Sequence, residues 1–458
     1  MRATRLRGRV VRRVAAAVAA VACLYLLLVP LQAYAVTSRD VNGDGLADLL
    51  VIGLSDGGNP NTLYVVFGGR DVVSRRLDAI SPVEGFAIRT RDYINEVGWL
   101  GDVDGDGLAD IALATLAQRS RSIVVFGRRS TADVDADSND DGVHRYPSGL
   151  GMSTTGVGDV NADGIDELVF SRSPGDSART VIFGRRDRTP LGRVTLRAPR
   201  SRGFVVRHPR GIPGVVAAGD ANGDGVDDFA VHTGGQYECE EWEGGGSCGG
   251  PSYVVYGRRR PVDVELGRRP QVRTRGGHRL AGYAVGTTLA APFGSPGDFD
   301  GDGLDDLFAP GWGTPGPTIE YGRSVGSRAG SRPAEALIGG WNGAGVLGDV
   351  NGDALADVLV QLSDVSRTLA VVLGRPRRAP IDARRRAMTV WRITASPGAT
   401  LFASPGAVGD VNGDGFDDIA LYEVGGTTPN RLLHVVLGGK DAPPSRLSEL
   451  GTRGFSIE

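Results

Sequence analysis

Beyond residue 35 the sequence has no apolar run long enough to span a bilayer, only two cysteines, and no two histidines in H-x-x-x-H spacing. Those absences exclude a polytopic membrane protein, leave room for one disulfide, and give zinc chemistry of the helix-borne type no footing. Aromatic residues make up only 6% of the chain, and its 70 glycines follow no three-residue period, so collagen is excluded. Backbone punctuation is abundant instead. The 70 glycines and 25 prolines fill 95 of 458 positions, about a fifth, against a usual share of about 12%. Helical bundles and coiled coils do not tolerate that frequency, whereas 41% hydrophobic residues is too many for a disordered chain. A turn-rich, all-β protein remains.

Residues 1–35 contain no acid and six arginines, Arg2, Arg5, Arg7, Arg9, Arg12 and Arg13. Setting those six aside takes the formal charge from −3 to −9. An acidic remainder argues against nucleic acid or an anionic membrane as the main partner. The arginines precede an apolar stretch from Val14 to Leu31 and the small-x-small triplet Ala33-Tyr34-Ala35, the order of an export signal cut before Val36. The same stretch, retained, is an N-terminal anchor. Cys23 lies inside the apolar run and reads as an ordinary residue of it. Either way, residues 36–458 are expected outside the cytoplasm, secreted or at the cell surface.

One pattern recurs seven times: DVNGDGLAD from Asp40, DVDGDGLAD from Asp102, DVNADGIDE from Asp159, DANGDGVDD from Asp220, DFDGDGLDD from Asp298, DVNGDALAD from Asp349 and DVNGDGFDD from Asp410. Successive copies start 62, 57, 61, 78, 51 and 61 residues apart. A short apolar run follows each copy at once, as in Leu49–Ile52 and Ile111–Ala114. Further on comes a second element ending in glycine, such as Tyr64–Gly68, Ile123–Gly127, Val181–Gly184 and Tyr253–Gly257, with weaker copies at Ile319–Gly322, Val371–Gly374 and Val435–Gly438. A third element, Gly85–Ile88, Gly203–Val206 and Gly454–Ile457, closes several cycles. These are strand signals bounded by turns. With one strand ahead of the loop, each unit has four strands. Such a unit cannot bury its faces alone, and radial stacking solves that problem. The expected fold is all-β: a seven-bladed β-propeller of four-stranded antiparallel blades over residues 36–458. The first blade is the awkward one, since only Val36–Arg39 precede its loop. Whether the strand around Phe455 stays in blade seven or crosses to blade one is left open.

Positions 1, 3, 5 and 9 of every copy carry oxygen side chains. They are Asp40, Asn42, Asp44 and Asp48; Asp102, Asp104, Asp106 and Asp110; Asp159, Asn161, Asp163 and Glu167; Asp220, Asn222, Asp224 and Asp228; Asp298, Asp300, Asp302 and Asp306; Asp349, Asn351, Asp353 and Asp357; Asp410, Asn412, Asp414 and Asp418. Closely spaced carboxylates, a backbone carbonyl and water suit a hard cation such as Ca²⁺. The carbonyl is assigned to position 7: Leu46, Leu108, Ile165, Val226, Leu304, Leu355 and Phe416. A glycine at position 6, such as Gly45, allows the sharp turn. An EF-hand needs an acid at position 12, where this chain has Val51, Leu113, Phe170, Val231, Ala309, Val360 and Leu421. These are cation loops in a β context, with up to seven Ca²⁺ ions. Loops two and five carry four carboxylates each and are expected to bind most tightly, whereas Ala354 at a turn position and Glu167 in place of Asp weaken loops six and three.

The seven in-register copies resemble the FG-GAP repeat, the calcium-binding blade of integrin α-subunit propellers and of many exported bacterial proteins. The resemblance implies a calcium-loaded propeller used for adhesion or for binding an extracellular protein or carbohydrate. It does not carry over an integrin β-subunit as partner, and a monomer is expected.

The remaining motifs read as structure. Cys239 and Cys248 form an even pair in an exported chain, expected as a disulfide in blade four, near Trp242 and its surrounding glutamates. Gly53–Gly57 matches G-x-S-x-G and Gly311–Gly316 matches G-x-G-x-x-G, but neither leads into a helix, so both are turns. Asp133–Asp141 is an acidic turn without the loop's glycine spacing. No nucleophile, base and orienter stand together in the sequence, so a non-enzymatic binding module is expected. The alternatives are a polysaccharide lyase or hydrolase on the same scaffold and a purely structural surface protein.

Overall fold

The computed structural model describes residues 39–458 except 54–60, 72, 117–120, 139–141, 147–152, 172–176, 189–201, 210–211, 213, 239–246, 268–270, 275–279, 286–293, 310–316, 325–334, 339–341, 363–366, 377–380, 385–389 and 426–431. Blade one contains β1 (Leu49–Gly53), β2 (Thr62–Val66) and β3 (Gly85–Arg89). Blade two contains β4 (Tyr93–Gly101), β5 (Asp110–Leu116), β6 (Arg121–Val125) and β8 (Val143–Tyr146), with the two-residue β7 (Val134–Asp135) looping out before β8. Blade three runs β9 (Ser153–Gly158), β10 (Glu167–Ser171), β11 (Ala178–Ile182) and β12 (Gly203–Arg207). Blade four has β13 (Gly214–Gly219), β14 (Asp228–Glu238), β15 (Ser247–Val255) and β18 (Leu280–Val285), with β16 (Val264–Glu265) and β17 (Gln271–Thr274) outside them. Blade five is β19 (Gly294–Gly297), β20 (Asp306–Ala309), β21 (Thr318–Glu320) and β22 (Glu335–Ile338). Blade six is β23 (Asn342–Gly348), β24 (Asp357–Gln361), β25 (Thr368–Val372) and β27 (Val390–Thr394), with β26 (Ile381–Asp382) outlying. Blade seven is β28 (Ala399–Ala407), β29 (Ile419–Gly425), β30 (Leu432–Val436) and β31 (Gly454–Ile457). Strands within a blade pair antiparallel in sequence order, and the seven sheets form the expected β-propeller. The first, second and third recurring elements of the sequence are the second, third and fourth strands of the blades.

Every position-12 residue lies in a strand, as the β reading of the loops requires: Val51 in β1, Leu113 in β5, Phe170 in β10, Val231 in β14, Ala309 in β20, Val360 in β24 and Leu421 in β29. These strands read as continuous apolar runs because both their faces are covered. In β6, Ile123 and Val125 face blade one while Val124 between them faces blade three, the two-residue alternation of a pleated strand. Apolar side chains fill all seven joints between neighbouring blades, including the one between blades seven and one, where Leu49, Val51 and Val66 meet Val411, Ala420 and Val435.

The ring closes without a swapped strand. β31 stays in blade seven, paired with β30 through Val435 and Phe455. Its free edge is capped by the outer segment of blade one: Arg75 bridges Ile457 in parallel, with Arg75 N–H donating to the Ser456 carbonyl (3.0 Å) and Glu458 N–H to the Arg75 carbonyl (3.0 Å). The same device recurs round the rim, where β7, β16 and β26 pair in parallel with β3, β12 and β22 of the blade before. Edge strands offer unpaired backbone groups, and these segments cover them. The stretch Asp133–Asp137, read as a solvated turn, belongs to this device: Asp133 Oδ1 accepts from Ala87 N–H (2.9 Å) and Asp137 Oδ2 from Arg91 N–H (2.7 Å).

A second belt lies at the loops. In all seven joints the residue after the second element's glycine donates its N–H to the position-2 carbonyl of the previous loop, from Arg128 to Val41 (2.8 Å) round to Gly69 to Val411 (2.8 Å). The glycine itself leaves no room for a side chain. A Cβ at Gly68 would stand 2.6 Å from the Ala47 carbonyl oxygen and 2.7 Å from that of Val411. Sequence reasoning treated this glycine as the end of a strand, whereas it is where two blades touch backbone to backbone.

Candidate metal centres

Loops two to seven each join the first and second strands of their blade, loop one leads into β1, and every loop curls round its own first carboxylate. In loop one, Asp40 Oδ1 accepts from the backbone N–H of Gly43 (2.6 Å) and Asp44 (3.2 Å), and Oδ2 from that of Gly45 (2.7 Å). Asp44 Oδ1 accepts from Leu46 N–H (2.9 Å). Successive amides facing one anion require left-handed backbone, and here two positions adopt it. Position 6 does so as expected, with φ +85° at Gly45, and position 4 does so as well, with φ +80° at Gly43. Nothing in the pattern of oxygen side chains marks position 4. Its glycine is covered by the position-7 side chain of the next blade: Leu108 lies over Gly43, Ile165 over Gly105, Leu304 over Gly223, Leu355 over Gly301, Phe416 over Gly352 and Leu46 over Gly413. Val226, at the same position of loop four, is buried.

Two loops have alanine at a left-handed position, Ala162 (φ 57°) and Ala354 (φ 65°). A side chain there costs roughly 1–2 kcal/mol. Replacing Ala354 by Gly is expected to raise stability by about 0.5–1 kcal/mol after the entropy of the freer unfolded chain is deducted. Denaturant titration checks this, and a loss of stability would show the turn to be unstrained.

Position 9 starts the following strand or stands immediately before it, and is buried in every loop. Its carboxylate ties two turns of its own blade together. Asp48 Oδ2 accepts from Val41 N–H (2.8 Å) and Oδ1 from Gly68 N–H (2.9 Å). Asp110, Asp306, Asp357 and Asp418 repeat both bonds, and Asp228 accepts from Gly257 N–H (2.8 Å) and from Asn222 Nδ2. Burial pushes these acids up, to about 7 at Asp48 and Asp418, about 8 at Asp306 and Asp357, about 10 at Glu167, and well above the carboxylate range at Asp110 and Asp228. Such groups ionise when a cation replaces the lost water.

Position 8 also matters, although the sequence reading passed over it. Where it is aspartate, its Oδ2 accepts the position-1 N–H of the previous loop: Asp166 from Asp102 (2.9 Å), Asp227 from Asp159 (2.9 Å), Asp305 from Asp220 (2.8 Å) and Asp417 from Asp349 (2.9 Å). Loops one, two and six have Ala47, Ala109 and Ala356 there and dispense with the bond.

The donor sets suit a hard cation. Carboxylate oxygens of Asp102, Asp104 and Asp110, of Asp159, Asp163 and Glu167, and of Asp298, Asp300 and Asp302 each gather within 4.8 Å of one another. In loops three and four a buried oxygen has no hydrogen-bond partner, Glu167 Oε2 and Asn222 Oδ1. An unmet buried acceptor is costly, and a cation supplies what it lacks. Asp220, Asp224, Asp349, Asp353, Asp410 and Asp414, with Asn351 and Asn412, repeat the fold of loop one. Asn161 instead turns its Nδ2 to Glu167 Oε1 (2.6 Å).

Loop two departs from the others. Arg188, from blade three, sends its guanidinium into the loop, bonding Asp104 Oδ2 through Nε and Asp106 Oδ2 through Nη2 (2.6 Å), and stacks over Phe126 at 4.9 Å. Its backbone is left-handed, with φ 46°. Asp104 is nearly inaccessible, so this ion pair is screened less than a surface one. Loop two carries four carboxylates, but a guanidinium is already paired with two of them, Asp104 and Asp106. Arg188→Gln is expected to raise calcium affinity at loop two at least about tenfold, the equivalent of about 1.4 kcal/mol. Calorimetric titration reads this as a change confined to one site, and an unchanged isotherm would show that Arg188 does not compete.

Cys239, Gly53–Gly57 beyond Gly53, and Gly311–Gly316 lie outside the described residues, as does the Cys239–Cys248 pairing. No helix among the described residues is long and apolar enough to cross a membrane. On adjacent strands of blade seven, His434 lies within hydrogen-bonding reach of both Glu423 and Ser456. Register brings them together across a sheet, so linear spacing does not reveal the grouping. Comparison of the chain with protein-family models and with curated proteins finds no match.

Proposed function

We propose that the chain is an FG-GAP-like, exported propeller whose blade joints are stiffened by Ca²⁺ and whose loops bind an extracellular protein or carbohydrate. The observation that carries this reading is positional. Seven loops with oxygens at positions 1, 3, 5 and 9 stand at the joints where backbone belts and apolar cores already link one blade to the next. A cation in such a loop ties the first strand, the second strand and the neighbouring blade's turn, so it acts on the rigidity of the disc. Specificity then rests with the variable connections, as on other rigid scaffolds. The export-signal pattern of residues 1–35 and the acidic charge of the remainder favour an extracellular ligand over nucleic acid.

The test is retention of the purified protein on glycan and extracellular-protein arrays, with calcium and with chelator. Retention that depends on calcium, without turnover of the retained ligand, supports the reading. Equal retention in chelator, or none on any array, overturns it.

A further inference from the structure

Three polar side chains of blade seven line up across β29, β30 and β31. His434 and Ser456 are direct partners in the β30–β31 register, and Glu423 lies two residues beyond Leu421, the β29 partner of His434. Ser456 Oγ is 2.8 Å from His434 Nδ1, and His434 Nε2 is 3.2 Å from Glu423 Oε2. The direction of the proton follows from the next neighbour. Ser396, at the exit of blade six, donates its backbone N–H to Glu423 Oε1 (2.5 Å) and its hydroxyl to Oε2 (3.1 Å), which makes Glu423 an acceptor. His434 therefore carries its proton on Nε2 toward Glu423. Its Nδ1 lone pair is left to receive the Ser456 hydroxyl. Burial lowers the basicity of His434 and Glu423 opposes that, so the ring is neutral and able to accept a proton at neutral pH. His434 and Glu423 are each 5% exposed, whereas Ser456 is only part-buried.

The arrangement is not a habit of the blades. A second histidine–serine pair among the described residues, His232 and Ser252 in blade four, has its polar atoms 3.4 Å apart, and both side chains are buried.

We propose that blade seven holds an acyl-accepting serine, Ser456, with His434 as its base and Glu423 as the residue that positions His434, and that carboxylic esters are its substrates. Ser456 Oγ adds to the ester carbonyl carbon while its proton passes to His434 Nδ1 and the carbonyl electron pair moves onto oxygen. The adduct collapses, the C–O bond to the alcohol breaks, and the departing alcohol takes the proton from His434. Water then repeats the sequence on the acyl-serine, releasing the carboxylic acid and restoring the hydroxyl. Ser74, brought in by blade one, accepts the Ser456 N–H at its Oγ (2.9 Å), and its own hydroxyl is the donor the proposal assigns to the developing oxyanion. A single hydroxyl is weaker help than paired backbone amides, which suits esters better than amides. This activity is independent of the calcium reading.

The test uses the full chain, a fluorophosphonate probe and p-nitrophenyl acetate, with peptide mapping of the adduct. One probe adduct at Ser456, lost in Ser456→Ala, is expected. Glu423→Gln is expected to lower the p-nitrophenyl acetate turnover number about 10- to 100-fold with KM and melting temperature unchanged. His434→Gln, which keeps a polar side chain but no base, is expected to abolish labelling; if it melts early, Ser456→Ala at its part-exposed position decides. No adduct at Ser456, equal turnover in Ser456→Ala, or a Glu423→Gln rate equal to that of the parent overturns the proposal.

Discussion

Excess chelator is expected to lower the melting temperature by on the order of 10–20 °C relative to millimolar calcium. A site held at one hundred times its Kd contributes about 2.7 kcal/mol. Even six of the seven loops so occupied would together rival the whole stability of an ordinary domain, about 5–15 kcal/mol. The loops supply the reason for so large a share. Without a cation, clustered acids such as Asp298, Asp300 and Asp302 face one another, and position-9 acids stand buried at every joint. Scanning calorimetry in calcium and in chelator makes the measurement. An identical melt in both would remove the cation from the account of this fold.

The same experiment has a pH dependence whose sign follows from burial. Asp48, Asp166, Asp306, Asp357 and Asp418 are raised from 3.8 to about 7 or 8, so the folded state holds their protons more tightly than the unfolded chain does. Stability from those protons is complete below about pH 3.8 and is lost as pH rises through 7 to 8. The chelated protein is therefore expected to melt higher at pH 5.5 than at pH 8. Calcium binds the ionised loops, so the rise it causes is expected to be larger at pH 8. A chelated protein more stable at pH 8 would contradict the assignment of buried, protonated acids.

Gly68→Ala is the second large effect, a loss of about 3 kcal/mol. The added Cβ meets two carbonyl oxygens and Leu46 Cβ, all within 2.8 Å, at the joint that closes the ring. Neither backbone can retreat without breaking the Gly69 to Val411 hydrogen bond, so the strain of overpacking, usually 1–3 kcal/mol, is felt near its upper end. Gly69→Ala is the control, because a Cβ there meets nothing within 4 Å, and a change under about 1 kcal/mol is expected. Similar losses at both positions would show that chain flexibility, and not contact between blades, explains the glycine.

Local chemistry was legible from the chain alone. A seven-fold recurrence of oxygen-bearing loops followed by apolar runs specifies a turn and a strand, because those depend on residues within ten positions of one another. Val51, Leu113 and their counterparts at position 12 were enough to place the loops in a β fold. What depended on the ring as a whole was not legible. The glycine ending the second element, the aspartate at position 8 and the glycine at position 4 act on the neighbouring blade, across more than 50 residues of sequence. Arg188 reaches loop two from 82 residues away, and Glu423, His434 and Ser456 converge only through strand register. Sequence by itself determined the repeating unit, since short-range sterics and hydrogen bonding decide it. Tertiary structure decided which side chains cross the joints, because only closure of the ring sets the last blade against the first.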